Sequence, residues 1–262
     1  MSILKAIILG IVQGLTEFLP VSSSGHLVLI QKLLHIEEEG ILLLDTMLHV
    51  GTLIAVIGVF WKDIVGMIKK PFSKFPMYIV LATIPTVIIA LLFQDYVENA
   101  FKTASTLGFG FIITGLILML VEMNESGHKD IESMKVKDAL IIGAAQGIAI
   151  FPAISRSGMT IAGALSQKLD RKFAARFSFL MSIPAILGSI VFQMDDLILA
   201  IHTPGFIGPM IAGTIAAAIS GFFAINTMLK VLTKGNLKGF AYYVIALGGF
   251  VLIDQFFLHL VF

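Results

Sequence analysis

Six stretches of this chain, at about residues 44–61, 77–93, 105–121, 177–194, 205–229 and 239–262, are apolar almost throughout. Each approaches the roughly 20 residues that a helix needs to cross the hydrocarbon core of a bilayer. Lipid offers no water to backbone N–H and C=O groups, so such stretches can only be helices. Little sequence is left between them, which excludes a sizeable aqueous domain. The whole chain agrees: 57% of its residues are hydrophobic, 13% are charged, and the mean hydropathy is +0.97, well beyond a soluble domain. With a net charge of +1 and its basic residues scattered through short loops, the chain has no patch for nucleic acid, and its first partner is the bilayer. Cysteine is absent, which removes disulfides and thiolate-bound metals. The N-terminal apolar run leads straight into a polar motif without a small-residue cleavage site, so it reads as part of the fold and not as a removable signal.

Two further segments, about 2–34 and 138–169, are apolar at both ends and interrupted in the middle by Gly, Pro and Ser. Residues 8–25 read ILGIVQGLTEFLPVSSSG and residues 141–158 read IIGAAQGIAIFPAISRSG. They align without a gap, with Ile, Gly, Gln, Gly, Phe, Ser, Ser and Gly identical at matching places. Chance apolar similarity does not preserve polar and glycine positions, so the pair marks an internal repeat. Repeat one covers about 1–122 and repeat two about 138–262, with a charged cytoplasmic linker at about 123–137. Each repeat is one broken segment followed by three crossings. Three is odd, so the second repeat is expected to be inverted relative to the first if the broken segments dip in and return on the same side.

The basic residues test that arrangement. With both broken segments re-entrant, only Lys5, Lys32 and Lys102 fall on one side, and all other loop lysines and arginines fall on the opposite side. Full crossings would divide them almost evenly. The positive-inside rule therefore favours re-entrance. The expected fold is an all-α polytopic membrane protein of six transmembrane helices plus two re-entrant helix-loop-helix segments. The two tips enter from opposite faces and meet near the midplane.

The tips carry the chemistry. The first holds Gln13, Glu17, Pro20, Ser22, Ser23, Ser24, Gly25 and His26; the second holds Pro152, Ser155, Arg156, Ser157, Gly158 and, just beyond, Thr160. An ionisable group inside an apolar run is costly and usually functional. The Arg156 guanidinium suits phosphate oxygens, and a serine-glycine run at the start of a helix presents hydroxyls and N–H groups to an anion. One of the serines is also expected simply to cap its helix. The attacking group is left open by the residues alone: a serine hydroxyl with a nearby base, His26, or a metal-bound water.

Both tips resemble those of the undecaprenyl-diphosphate phosphatases, the bacitracin-resistance family, whose first motif is Glu or Gln, three residues, Glu, then residues like PVSSSGH, and whose second is PGxSRSG. Here Ala153 stands at the second motif's glycine, where a positive φ would call for one. The resemblance implies a lipid diphosphatase that acts on a long-chain polyprenyl diphosphate and releases inorganic phosphate. It implies Ser23 as nucleophile, His26 and Glu17 in acid or base roles, and Arg156 on the phosphates. Gln13, Ser22, Ser24, Gly25, Ser155, Ser157, Gly158 and Thr160 are then substrate-binding candidates. The family's metal dependence implies a divalent cation, Mg or Ca, at Glu17 and Gln13. Such an enzyme belongs in the inner or plasma membrane as a multi-pass protein, with its site open to the outer face, and a homodimer is compatible with the sequence. The rival reading is a secondary transporter or lipid flippase with inverted repeats, which needs binding groups but no nucleophile. Asp45, His49 and Thr52 share a helical spacing on the first crossing and also resemble a family pattern.

Overall fold

The computed structural model describes residues 1–36, 41–123, 127–192, 207–234 and 236–262. The acidic run 37–39, part of the expected linker, and the ends of two expected crossings near 194 and 205 lie outside the described residues. Among those described, every regular element is helical, and one isolated bridge joins Lys129 to Leu169. In chain order the helices are α1 (Ile3–Phe18), α2 (Ser23–Leu33), α3 (Ile41–Val59), α4 (Trp61–Lys69), α5 (Lys74–Thr103), α6 (Leu107–Glu122), α7 (Val136–Ile148), α8 (Arg156–Ser166), α9 (Arg171–Phe192), α10 (Ile207–Lys234) and α11 (Lys238–Ile253). A short π-helical turn, Asp254–Leu258, extends α11.

Five of these, α3, α5, α9, α10 and α11 with its extension, are long and apolar enough to cross a membrane. The remaining expected crossing, about 105–121, forms α6, which is apolar but has 16 residues, about 24 Å of helix. The two broken segments form the hairpins α1–α2 and α7–α8. Their helices have 16, 11, 13 and 11 residues, each short of the ~30 Å hydrocarbon core. Sequence reading did not anticipate α4. It is amphipathic and buries no residue fully, while Ile64 and Met67 rest against the core.

Close backbone approach positions the hairpins. Along its length α1 packs on α10, and α7 packs on α5. A Cβ built on Gly10 would stand 2.3 Å from the Gly213 carbonyl oxygen, one on Gly14 2.0 Å from Ser220 Oγ, and one on Gly143 2.0 Å from the Ala82 carbonyl oxygen. Only small residues permit such contact, and in lipid it is packing of this kind that holds helices together. Gly248 makes the same contact with Gly108, whereas Gly249 faces open space. The Asn226 amide bonds within its own helix, to the Phe222 carbonyl.

Each hairpin turns for a local reason. The chain leaves α1 at Leu19 and meets Pro20, which has no N–H to continue a helix. Ser22 then caps α2 by accepting from the Gly25 N–H at 3.3 Å. Similarly, Pro152 follows α7, and Ser155 caps α8 by accepting from the Gly158 N–H at 3.1 Å. The capping role expected for one serine thus falls to one in each hairpin.

Candidate active site

Glu17 is the penultimate residue of α1, 7% exposed, and four residues after Gln13. At that spacing two side chains share a helix face, and Gln13 Nε2 donates to Glu17 Oε2 at 2.9 Å. Two further groups reach the same carboxylate. The Ser23 hydroxyl, from the first residue of α2, donates to Oε2 at 2.5 Å. Arg156 Nη2, from the first residue of α8, donates to Oε1 at 2.5 Å across 139 residues of chain. The two tips therefore meet on one carboxylate. The second fastens to the first again where Ser157 Oγ donates to the Leu19 carbonyl at 2.9 Å.

Two polar atoms in this cluster are buried and without a hydrogen-bond partner among the described residues: Arg156 Nη1 and Gln13 Oε1. A buried unpartnered polar group costs about 1–3 kcal/mol, so each marks a place where a ligand group would be welcome. For Nη1 the matching ligand is an anionic oxygen, and for Oε1 a donor or a hard cation.

The remaining first-tip residues frame the cluster. Ser22 holds a positive φ of 69°, and its hydroxyl lies 3.3 Å from that of the half-buried Ser24. Gly25 has no room for a side chain, since a Cβ there would meet the Phe111 ring at 2.5 Å. The buried His26 does not bond to Ser23. Its Nδ1 lies 2.6 Å from the Ser22 carbonyl oxygen, which can only accept, so Nδ1 carries the proton and Nε2 offers a lone pair. At 2.7 Å that lone pair takes the Tyr243 hydroxyl of α11, whose ring stacks on the imidazole. Sequence reasoning missed Tyr243, because a tyrosine in an apolar span 217 residues away carries no local signal.

On the second tip, Ser155 and Ser157 are buried with their hydroxyls 3.2 Å apart. The Ser155 N–H donates to Thr114 Oγ1, and Gly158 packs against Ser155 and Pro20. Thr160 stands apart from the cluster. It is fully buried, donates to the Arg156 carbonyl at 2.9 Å, and lies 2.5 Å from Ser178 Oγ, so its hydroxyl supports the turn that carries Arg156. Ala153 has a φ of 61°, the left-handed region that favours glycine.

From α3, His49 Nε2 lies 3.7 Å from Glu17 Oε2. Its Nδ1 is 2.7 Å from the Asp45 carbonyl oxygen, Thr52 donates to the His49 carbonyl, and the Asp45 carboxylate accepts from Gln31 of α2. Among the described residues no group of three or more His, Cys, Asp or Glu gathers as a metal site.

A profile of the family described as "Bacitracin resistance protein BacA" matches residues 6–250. The chain belongs to this family. Among the relatives of this BacA-family chain is an "Undecaprenyl-diphosphatase" of Carboxydothermus hydrogenoformans, 49% identical over 257 residues, covering 97% of the chain and 98% of the relative. An "Undecaprenyl-diphosphatase 3" of Bacillus cereus is 48% identical over 256 residues, covering 98% of each. An "Undecaprenyl-diphosphatase" of Halothermothrix orenii is 46% identical over 256 residues. The family resemblance seen in the two tips thus extends over nearly the whole BacA-family chain, hairpins and crossings alike.

Proposed function

We propose that this chain is a multi-pass membrane phosphatase that hydrolyses undecaprenyl diphosphate to the monophosphate and inorganic phosphate, returning a lipid carrier to cell-envelope polymer synthesis. One observation carries the reading: Arg156 from one hairpin and Ser23 from the other share the Glu17 carboxylate, and Arg156 keeps a second buried donor unspent.

Hydrolysis of a phosphoric anhydride builds charge on the phosphoryl oxygens and the leaving phosphate, so it needs fixed donors and positive charge there. Arg156 Nη1 and the N-termini of α2 and α8 supply both. Ser23 is the nucleophile and Glu17 its base. The Oγ–P bond forms at the terminal phosphorus, the bridging P–O bond breaks, the lipid monophosphate leaves, and the serine proton passes to Glu17. Water then attacks the phosphoserine, the P–Oγ bond breaks, and the proton returns to Ser23. His26, fixed between the Ser22 carbonyl and Tyr243, positions the turn that carries Ser23. Gln13 Oε1 and Glu17 would hold a hard divalent cation, Mg or Ca, beside the phosphates. Such an ion neutralises charge on the phosphates when bound.

The architecture suits a lipid substrate. With α1–α2 and α7–α8 as re-entrant hairpins and six helices crossing, the repeats 1–122 and 138–262 are inverted about the site, with 123–137 as cytoplasmic linker. The exchanged packing supports this, α1 lying on α10 and α7 on α5. The lysine bias puts the opening on the outer face of the inner or plasma membrane, where the head group enters while the isoprenoid tail stays in lipid. The transporter alternative needs no serine bonded to a carboxylate.

Purified protein in detergent, given a polyprenyl diphosphate, is expected to release phosphate, and Arg156→Ala, Glu17→Ala and His26→Ala to lose that activity while remaining monodisperse. Undiminished turnover in these variants would refute the proposed site.

A further inference from the structure

We infer that α4 lies in the membrane interface and gathers anionic phospholipids: Lys62, Lys69 and Lys70 hold the head groups while Trp61, Val65 and Ile68 enter the acyl boundary. This surface is separate from the site described above.

The chain fixes where α4 can lie. α3, long and apolar enough to span, ends at Val59, and α4 starts at Trp61 after a single buried residue, Phe60. α5, the next helix able to span, starts at Lys74. Both ends of α4 are thus tied to spans at one bilayer surface. Its nine residues reach about 14 Å, far less than a crossing. One side of the helix rests on protein, where Ile64 and Met67 pack against the core and Asp63 pairs with Arg176 of α9.

Trp61, Val65 and Ile68 follow one another at helical spacing and form the next stripe around the helix. Trp61 is 60% exposed, Ile68 73%, and Phe72, just past the helix end, 89%. At a bilayer surface such side chains gain by entering the acyl boundary, and tryptophan gathers at that level. Lys62 and Lys69, seven residues apart, form the stripe beyond, about a quarter turn from Trp61 and on the side away from Ile64. With the apolar stripe in lipid, the lysine stems run along the surface and bring their ammonium groups to the depth of the head-group phosphates. Lys70 follows directly, at the C-terminal end of α4. Among the described residues no carboxylate lies within ion-pair distance of Lys62, Lys69 or Lys70, whereas Asp63 and Lys74 are spent on Arg176 and Glu132. The helix therefore offers three uncommitted cations beside an apolar stripe, and its one carboxylate is neutralised. A phospholipid with net negative charge complements that surface, while a zwitterionic one brings no net charge to it.

Trp61 is the only tryptophan in the chain, so tryptophan fluorescence reads α4 alone. The protein is reconstituted in phosphatidylcholine vesicles carrying an equal minor share of either acyl-brominated phosphatidylglycerol or acyl-brominated phosphatidylcholine, since bromine quenches a nearby indole. Both lipids are expected to quench Trp61, with an apparent affinity about three- to tenfold higher for phosphatidylglycerol. That excess is expected to fall toward one in the variant combining Lys62→Gln, Lys69→Gln and Lys70→Gln, checked for monodispersity. It is also expected to fall for wild type as salt rises from about 0.1 to 1 M, where the screening length drops from about 10 to 3 Å, with quenching by phosphatidylcholine unchanged. The salt series needs no variant, so it decides the matter even if the triple variant does not fold. Equal quenching by the two lipids, or an excess untouched by the substitutions or by salt, overturns the proposal. So does an absence of quenching by either lipid, which would turn this face of α4 to water or to another protein.

Discussion

The two hairpin tips are built alike and do different work. Each has a serine cap bonded to a glycine N–H three residues on, and a second serine hydroxyl just over 3 Å from the first. In the sequence register that aligns them, Glu17 meets Ile150, Ser23 meets Arg156, and His26 meets Met159. In the proposed mechanism one tip thus carries the nucleophile and base, and the other carries a cation at the nucleophile's own place. A shared scaffold holds the backbone, and three substitutions divide the chemistry. Strain is divided too, with the positive φ at Ser22 in one tip and at Ala153 in the other.

The sharpest way to break this comparison is to exchange the residues that distinguish the tips. Ser23→Ala is expected to lower phosphate release about a thousandfold or more, in line with other enzymes that lose a nucleophile. Arg156→Lys keeps the charge but loses the planar fork, and a loss of about a hundredfold is expected, with KM for the lipid raised. Both are read by steady-state kinetics. Next come the glycines at matching places on α1 and α7. A Cβ on Gly14 meets Ser220 Oγ at 2.0 Å and the Ala217 carbonyl at 2.5 Å, whereas the atom nearest one on Gly147 is the terminal Cδ1 of the flexible Ile89 side chain, at 2.3 Å. Gly14→Ala is expected to destabilise by about 1–3 kcal/mol. Gly147→Ala is expected to be near neutral, because alanine's helix propensity gains up to about 1 kcal/mol. Thermal unfolding in detergent separates the two. The smallest effect is at the second tip's strained residue: Ala153→Gly relieves about 1 kcal/mol and gives up a buried methyl contact with Gly25. A Tm rise of about 1–3 °C follows, with kcat within twofold.

The hairpins were legible because Gly, Pro and Ser interrupt apolar runs at two matching places, and the helices break where those residues sit. The meeting of Arg156 with Glu17 and Ser23 was expected from the repeat, which puts two interrupted segments at matching places, and the structure brings these three residues together. What stayed hidden is tertiary. A hydroxyl prefers the nearest strong acceptor, so Ser23 bonds to Glu17 of the preceding helix. The partner that occupies His26, Tyr243, lies in another helix whose apolar sequence gives it no prominence. Thr160 looked like part of an anion site by its place after a serine-glycine run, yet helical geometry turns it inward to Ser178. The α4 helix escaped notice because nine amphipathic residues between two longer apolar runs resemble a charged loop.

The account depends on Glu17 and Arg156 acting as one unit, and a double-mutant cycle tests it most directly. Phosphate release and thermal stability are measured for Glu17→Gln, Arg156→Gln and the double variant. Removing one member of a buried pair strands the other charge, at about 3–5 kcal/mol. The double variant is therefore expected to be more stable than either single, with turnover no lower than the worse of them. Losses that simply multiply, together with stability changes that add, would show that the two tips do not share a site.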